Sequence, residues 1–320
     1  MSVATVSRAL RGLPGVSPNT RKAVEVAAAD LGYVASPTAA ALPTGRTRTV
    51  GVLAPWVTRW FFSAVIEGAN KVFCSNGYDV LLYALDPVVG PQGWNVFAVA
   101  KRVDGVLGLC LPPVSTQYSH LADARSQLVV VGSGPAGTPG VNIDDVAVGR
   151  AATEHLIALG HRRIGFAAGG PPDLLQLPVA ADRRRGCAEA LRDAGLELDP
   201  GDVFDADFSV AGGEHAAAAL MRRTQRPTAI VAGCDEIAMG LIHGVRSRGQ
   251  RVPGDLSVVG VDDHDMARLF GLTTIAQPAR EQGRLAAQML LDRIAGEQTT
   301  PLLVQTSLVV RQTSAGAATS

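Results

Sequence analysis

The 320-residue sequence predicts an α/β fold of two similar halves, preceded by a small helical unit at the N-terminus. Three observations support this prediction. From Thr49 onward, short apolar runs alternate with amphipathic helical stretches, and the same plan then repeats. Such alternation is typical of parallel sheets with right-handed helical crossovers. Residues 1–32 have helical patterns instead.

Charge is unevenly distributed, although the net charge is zero. Residues 1–48 hold six basic and two acidic residues, and the rest of the chain has a matching acidic excess. This distribution suits a protein of which only the head meets nucleic-acid phosphates. The apolar content of 47% is ample for sizeable cores.

Several function classes find no support. The four cysteines form no Cys-x-x-Cys pair, and no apolar run is long enough for a signal peptide or a membrane span, so we expect a cytoplasmic protein without membrane contact. The six histidines have no metal-ligand spacing, and there is no nucleophile elbow or phosphate-binding loop. We therefore expect no catalytic residues, no cofactor and no metal. Asp262, Asp263 and Asp265 could hold a metal ion, but each has a structural interpretation first.

The first ten residues predict a helix suited to a DNA major groove. Ser2 is a good N-cap. An inward face is formed by Val6, Ala9 and Leu10, and an outward face by Val3, Ala4, Ser7 and Arg8. Small side chains allow close approach to base edges, and arginine reads guanine well. On these residues alone, an ordinary amphipathic helix is an equal alternative.

A second helix is predicted after the turn at residues 12–16. Ser17 is an N-cap followed by proline at the first helical position, and Gly32 ends the helix. We expect its apolar stripe at Ala23, Ala27, Ala28 and Leu31, with Val24 beside it. A basic linker follows at residues 43–48.

The body is predicted element by element. In the first half we expect strands at 50–53, 80–85, 106–109, 128–131 and 141–143, with helices at 61–76, near 94–102 and before 128. In the second half we expect strands at 164–168, 203–206, 229–232, 256–261, 273–276 and 302–311, with helices at 148–159, 180–194, 211–223, 236–248 and 280–294. Residues 314–320 are expected to be a disordered tail. Two such halves place a cleft at the carboxyl ends of their strands.

Motifs along the whole chain resemble one family. The head contains Ser-x-x-Thr-Val-Ser-Arg-Ala-Leu from Ser2, Val-Ser-x-x-Thr-Arg from Val16, Leu-Gly-Tyr at 31–33 and Gly-Arg-Thr at 45–47. The body contains the segment 144–165, Gly-Val-Asp-Asp at 260–263, Leu-Thr-Thr-Ile at 272–275 and Gln-Pro at 277–278. In this order and spacing they resemble the lactose-repressor/galactose-repressor (LacI/GalR) family of bacterial transcription regulators.

The resemblance implies a domain organisation. It implies a DNA-binding headpiece at 1–34, a hinge helix and linker at 35–48, and two Rossmann-like, periplasmic-binding-protein-like subdomains at 49–146 plus 278–301 and 147–277 plus 302–313, with a tail at 314–320. The chain would cross between the subdomains three times, near Val146, Gln277 and Leu302. The helix after Gln277 would belong to the first subdomain.

The resemblance also implies site residues. Val3, Ala4 and Arg8 would read bases, Thr5 and Ser7 would touch phosphates, and Leu42 on the hinge helix would wedge into the minor groove. In the cleft, Arg183 would fork onto ligand groups, Asp262 would accept hydrogen bonds and Phe208 would stack on a ring. Further expected ligand-binding residues are Trp56, Trp60, Phe61, Asp235 and Gln277. Alternatives are a loop-capping role for Asp262 and a core role for Phe208.

Departures from the family pattern carry two hypotheses. The family headpiece has another helix before the residue matching Ser2, and the family normally has valine where Met1 stands, so we hypothesise that the true start lies upstream. The usual hinge residues are also absent at Ala35, Ser36 and Ala40. Trp56, Arg59, Trp60 and Cys234 stand where the family usually has Asp, Asn, Pro and Asn. This exchange suggests an effector with fewer hydroxyls than a sugar, aromatic or acidic.

These observations favour a ligand-responsive repressor. We expect it to bind a palindromic operator as a homodimer, or as a tetramer, under control of a sugar or small metabolite. The alternative is a headless cytosolic ligand-binding protein without DNA-binding activity; an α/β enzyme has little support. Gly-Ser-Gly-Pro-Ala-Gly at 132–137 matches a dinucleotide motif, but Pro135 within it and Pro139 and Gly140 after it favour a turn.

Overall fold

The computed structural model describes residues 1–10, 12–32, 46–84, 99, 101–112, 127–169 and 177–317. Leu42, most of the expected hinge, the helix expected before residue 128 and nearly all of the helix expected near 94–102 lie outside the described residues. Within the described part of the chain, no helix is long and apolar enough to cross a membrane.

The head consists of two helices that pack against each other, α1 (Val3–Leu10) and α2 (Pro18–Asp30). The predicted N-cap of α1 is confirmed, because the Thr5 backbone N–H donates to Ser2 Oγ at 3.2 Å. Ala9 is buried, Val6 and Leu10 are half-buried, and the predicted outer face of α1 is exposed throughout.

The start of α2 is also as predicted, but its stripe is not. Ser17 caps the helix by accepting from the Thr20 N–H, and proline occupies the first turn. Val24 is the buried residue of α2, whereas Ala23, Ala27 and Leu31 are exposed. The prediction was wrong because α1 packs on the face of α2 that contains Val24, and Ala28 one turn later is half-buried there.

The N-lobe has a six-stranded sheet in the order β11-β5-β4-β3-β1-β2. The strands are β1 (Thr49–Ala54), β2 (Asp79–Ala84), β3 (Gly105–Leu109), β4 (Gln127–Val131), β5 (Gly140–Asn142) and β11 (Leu302–Leu303), and the helices are α3 (Trp60–Ser75) and α9 (Ala279–Ala295). All described strand pairs are parallel. As expected, α9 packs on α3 and on this sheet.

The C-lobe repeats the plan in the order β12-β10-β9-β8-β6-β7. Its strands are β6 (Ile164–Ala167), β7 (Val203–Phe204), β8 (Ala229–Ala232), β9 (Ser257–Asp262), β10 (Thr273–Ala276) and β12 (Ser307–Val309), and its helices are α4 (Asp145–Ala158), α5 (Val179–Asp193), α6 (Val210–Met221), α7 (Asp235–Arg246) and α8 (Ala267–Phe270). The short α8 was not predicted. The other predicted elements in the described residues lie within a few positions of their expected bounds, except at the C-terminus.

Two predictions at the C-terminus were wrong. The strand expected at 302–311 is two short strands in different sheets, β11 parallel to β5 and β12 antiparallel to β10. The third crossing therefore lies between Leu303 and Ser307. Residues 314–317 are docked rather than disordered, because Ala315 O lies 3.0 Å from His161 Nε2 and the Ala317 N–H donates to Leu159 O at 2.9 Å.

Glycines let neighbouring helices approach closely in both lobes. A Cβ built on Gly186 of α5 would lie 1.9 Å from the Val146 carbonyl oxygen, and one on Gly283 of α9 would lie 2.0 Å from that of Val65. Reciprocal glycines occupy the facing helices in three pairs: Gly68 and Gly283, Gly149 and Gly186, and Gly213 and Gly240. These crossings fix the helix layer against which the strands align.

Candidate functional site

A cavity of about 110 Å³ lies between the lobes. Much of its lining follows strands directly: Trp56 after β1, Cys110 after β3, Ser133 after β4 and Cys234 after β8, while Asp262 ends β9. The carboxyl ends of parallel strands in both sheets thus converge on one space, as the sequence predicts. The predicted turn at 132–137 is confirmed and contributes Ser133 to the wall.

Arg183 and Asp262 form a buried polar floor. Arg183 Nε donates to Asp145 Oδ1 at 2.8 Å and Nη1 donates to the Gly233 carbonyl. Asp262 accepts from Gln277 Nε2 at 2.5 Å, and Gln282 Nε2 donates to Gln277 Oε1 at 3.0 Å. Because each of these groups is held by another, the floor is rigid before any ligand arrives.

Burial shifts the titration of this floor. Desolvation raises the pKa of Asp262 to about 7, against the opposing attraction of Arg183 and the hydrogen bond from Gln277. Burial likewise raises the pKa of the Cys110 thiol to about 12 and that of the Glu236 carboxyl above its usual range. The cavity therefore disfavours anions even on its own side chains.

Aromatic rings form the remaining walls. On the N-lobe, the Trp56 and Phe62 ring centroids are 5.8 Å apart, and Phe61 meets Phe62 edge-on at 5.4 Å. Phe208 lines the C-lobe wall and takes a left-handed backbone conformation with φ of 52° just before α6. Four rings thus enclose the space above the polar floor.

Arg59 and Trp60 of the N-lobe reach across the cleft. Arg59 Nη1 donates to the Phe208 carbonyl at 2.8 Å, and Trp60 Nε1 donates to Asp265 Oδ2 at 3.0 Å. Arg280 grips the same Asp265 through both Nη atoms at 3.1 and 2.8 Å. We call these five residues the cleft bridge. Trp60 belongs to the cleft bridge and lines a separate groove outside the cavity, but it does not line the cavity between the lobes.

Asp235 also lies away from the inner cavity. It is completely buried, and it accepts from Thr274 Oγ1 at 2.7 Å and from the His264 N–H at 2.8 Å. Through these bonds it holds the loop that presents Asp265 to the cleft bridge. Of the predicted ligand residues, the structure brings together Trp56, Phe61, Arg183, Phe208, Asp262 and Gln277.

Other lining residues were not predicted. Glu236 and Phe62 sit beside predicted residues on the same helices, and Asp145 is the first residue of the most family-specific helix in the sequence. Of these three residues, only Asp145 could have been found from the sequence, because it stands at the start of that helix. No cluster of three or more metal-ligating side chains occurs in the part of the chain described. Asp263 instead pairs with Arg311 at 2.6 Å.

A separate surface lies on α1. Val3 is 87% exposed, and Ala4, Ser7 and Arg8 are exposed beside it. Thr5 is half-buried, with its hydroxyl 2.8 Å from that of Ser2. This face carries small side chains and the guanidinium of Arg8, so it is the part of the head that suits close approach to base edges in a DNA groove.

Known families match both regions. Residues 1–36 match the model for bacterial regulatory proteins of the lacI family, and residues 153–314 match the periplasmic binding protein-like domain. The chain is 34% identical to the HTH-type transcriptional regulator CelR of Thermobifida fusca, over 96% of this chain and 93% of the relative. It is 32% identical to the transcriptional repressor CytR of Escherichia coli K12, over 97% and 92% of the two chains.

Solved structures give the same picture. A CelR–cellobiose complex superposes with a TM-score of 0.73 at 32% identity, covering 98% of this chain and 96% of the other. The lac repressor dimer bound to operator and the anti-inducer ONPF superposes with a TM-score of 0.84 at 25% identity, with the same coverage.

Proposed function

The chain belongs to the lacI family of bacterial regulatory proteins, and from this premise we propose that it is a transcriptional repressor with ligand-controlled DNA binding. In this proposal α1 reads operator DNA in the major groove, and a small molecule in the cleft sets the affinity for that operator. The single observation that carries the DNA-binding part is the exposed outer face of α1, a helix whose opposite face packs on α2.

We assign the DNA-binding roles of the α1 residues from their positions on the helix and the exposure of their side chains. Arg8, Val3 and Ala4 are proposed to read base edges, while Ser7 and Thr5 contact phosphates. The basic excess of residues 1–48 supplies the phosphate attraction, and the acidic excess of the body keeps the lobes off the DNA.

The cleft supplies the switch. Three polar contacts of the cleft bridge join the lobes, so a ligand that binds between them changes how firmly the lobes close. A ligand can shift this equilibrium only by binding one state more tightly, and a coupling of about 1–3 kcal/mol is typical. We propose binding and release as the whole of the chemistry, with no catalytic step and no cofactor.

We propose a homodimer acting in the cytoplasm. One recognition helix reads half of a palindrome, so a two-fold dimer is the smallest assembly that reads a whole operator. Strand β2 lies at the edge of the N-lobe sheet and exposes Leu81 and Leu82 on its two faces, apolar surface that suits burial against a second copy. Sedimentation velocity distinguishes the dimer from a monomer or tetramer.

The test is DNA binding by the full chain against the DNA flanking its own gene, at several salt concentrations. We expect tight binding with a steep salt slope, weakened by Arg8→Ala by about 1–3 kcal/mol and more on the specific site than on random DNA. Arg162→Ala, an exposed arginine of the C-lobe, is the matched control and leaves binding unchanged.

The alternative is a ligand-binding protein without DNA-binding activity. It predicts no salt-dependent binding of the flanking DNA, while small molecules still raise the melting temperature of the lobes. Equal effects of Arg8→Ala and Arg162→Ala would also count against the recognition role of α1.

A further inference from the structure

The cavity between the lobes has more carboxyl groups than cations among the described residues. Its lining includes Asp145, Asp207, Glu236 and Asp262 against Arg59 and Arg183. Asp145 already neutralises Arg183 at 2.8 Å, and Asp207 faces Arg59 at 3.8 Å. Glu236 and Asp262 have no cation at ion-pair distance among the described residues, and a cationic ligand beside them would favour the ionised forms that burial disfavours.

The donors of the cavity are largely engaged with the protein itself. Arg59 and Arg183 donate to backbone carbonyls of Phe208 and Gly233, and Ser133 donates to the Leu111 carbonyl. The Gln277 amide donates to Asp262, as described above. A ligand thus meets a surface with free acceptors and few free donors, which favours a ligand that donates hydrogen bonds or carries positive charge.

The walls suit a cation as well. Trp56, Phe61, Phe62 and Phe208 present aromatic rings to the cavity. Aromatic faces attract ammonium groups, and the attraction is larger when the site is desolvated. A sugar needs side chains that both donate and accept; Cys234 offers neither well, and it stands where the family usually has asparagine.

We propose that the effector of this protein is a compact organic cation, an alkylammonium compound held between the aromatic rings and the carboxyl groups of Glu236 and Asp262. The proposal rests on the function proposed above, and it differs from the aromatic or acidic effector that the sequence suggested. That expectation counted Arg59 as a free cation, whereas the structure engages it in the cleft bridge.

The test compares choline with its uncharged isostere 3,3-dimethylbutan-1-ol by calorimetric titration of the full chain. The two molecules differ in replacing the ammonium nitrogen by carbon, so shape and apolar area are matched. We expect choline to bind at least about tenfold more tightly. Equal affinities, or no choline binding at millimolar concentration, overturn the proposal.

A variant locates the binding group. Glu236→Gln keeps the shape of the side chain and removes its charge, and we expect it to weaken choline about tenfold while leaving the neutral isostere unchanged. Glu197→Gln, at an exposed site far from the cavity lining, is the matched control. Equal choline affinity in both variants contradicts the role of Glu236.

The pH dependence gives an independent readout. The groups that face Asp262 are Arg183 from α5, Asp145 from α4, Asp235 and Glu236 from α7, Cys234 just before α7, Cys110 after β3, and Gln277 beyond β10. Because Asp262 gains its charge near pH 7, choline should bind more tightly at pH 8 than at pH 6, whereas the isostere should not. If the full chain binds cellobiose or benzoate and not choline, this inference fails while the repressor function stands. If the chain binds choline but does not bind the flanking DNA, the repressor function fails while the cation site stands.

Discussion

The N-lobe and the C-lobe each have six strands, and corresponding strands occupy the same places in the two sheet orders. In both, reciprocal glycines bring a pair of helices into close contact. Their interiors differ, however. The buried acidic, basic and histidine side chains of the described residues, His161, Arg183, Asp202, Asp235 and Asp262, all lie in the C-lobe.

This difference separates what builds the lobes from what makes them functional. The shared elements are apolar strands and small residues at helix crossings, and these set the architecture. At the cleft, the C-lobe contributes the buried Arg183 and Asp262, and the N-lobe contributes aromatic rings and Arg59, which reaches across. The cleft is therefore an assembly of one polar and one aromatic surface on two similar scaffolds.

We expect the largest effect from alanine substitutions of the glycines at the helix crossings, and we expect them to destabilise both lobes to a similar extent. Gly186→Ala in the C-lobe and Gly283→Ala in the N-lobe each push a Cβ to within 2.0 Å of a carbonyl oxygen, so the helices must separate. We expect a loss of about 3 kcal/mol or more in the free energy of unfolding for each, although alanine is the better helix former. Urea titration measures the loss, and hydrogen exchange assigns it to a lobe.

Gly316→Ala is the control, because its nearest contact is an oxygen 3.9 Å away. It should change stability by less than about 0.5 kcal/mol. If Gly186→Ala destabilised the protein and Gly283→Ala did not, the glycine crossings of the two lobes would not contribute equally to stability, and the comparison would be refuted.

We expect Asp262, a residue of the C-lobe, to make the stability of the protein depend on pH. Asp262 has a pKa of about 7 in the folded protein and an ordinary value of 3.8. From about pH 4 to 7 the unfolded chain releases this proton first, so stability falls as pH rises and is level above pH 7. Asp262→Asn cannot ionise, and we expect it to exceed the parent in stability at pH 8 by on the order of 2 kcal/mol.

The advantage of Asp262→Asn should shrink as the pH approaches 4, where both proteins are neutral at this site. Asp205→Asn, an exposed aspartate of the same lobe, should follow the parent at every pH. Thermal melts from pH 4 to 8 test this expectation, and an advantage that stays constant over the range would falsify it.

Most of the fold could be predicted from the sequence, because strand and helix periodicities are local. The failures at the C-terminus have tertiary causes. Two short apolar runs, at 302–304 and 308–310, are separated by three polar residues and fit one strand or two, and the separation of the two sheets decides between them. Residues 314–317 read as a tail because small residues carry little pattern, but buried His161 holds them through the Ala315 carbonyl.

The site was predictable where a residue both follows a strand and matches the family, as Asp262 and Phe208 do. Asp235 matched too, yet it faces Thr274 instead of the cavity, because side-chain direction at a helix start depends on its neighbours. Arg59 and Trp60 were noted as departures, but their contacts across the cleft join residues far apart in sequence, and no local pattern shows such contacts.

The smallest expected effect concerns the only direct indole hydrogen bond between the lobes in the described residues, from Trp60 to Asp265. Trp60→Phe removes the donor and keeps a ring against His264. Asp265 is largely exposed, and Arg280 still holds it, so we expect a coupling energy below about 1 kcal/mol in a cycle with Asp265→Ala. Urea unfolding of the four proteins measures it. Because the contact joins the lobes and supports neither core, the variants should also speed hydrogen exchange at the start of α3 and near α8, without affecting the glycine crossings. Strictly additive stabilities with unchanged exchange would mean that the Trp60–Asp265 hydrogen bond does not help to close the lobes, and closure would then depend on the other bridge contacts and on the ligand.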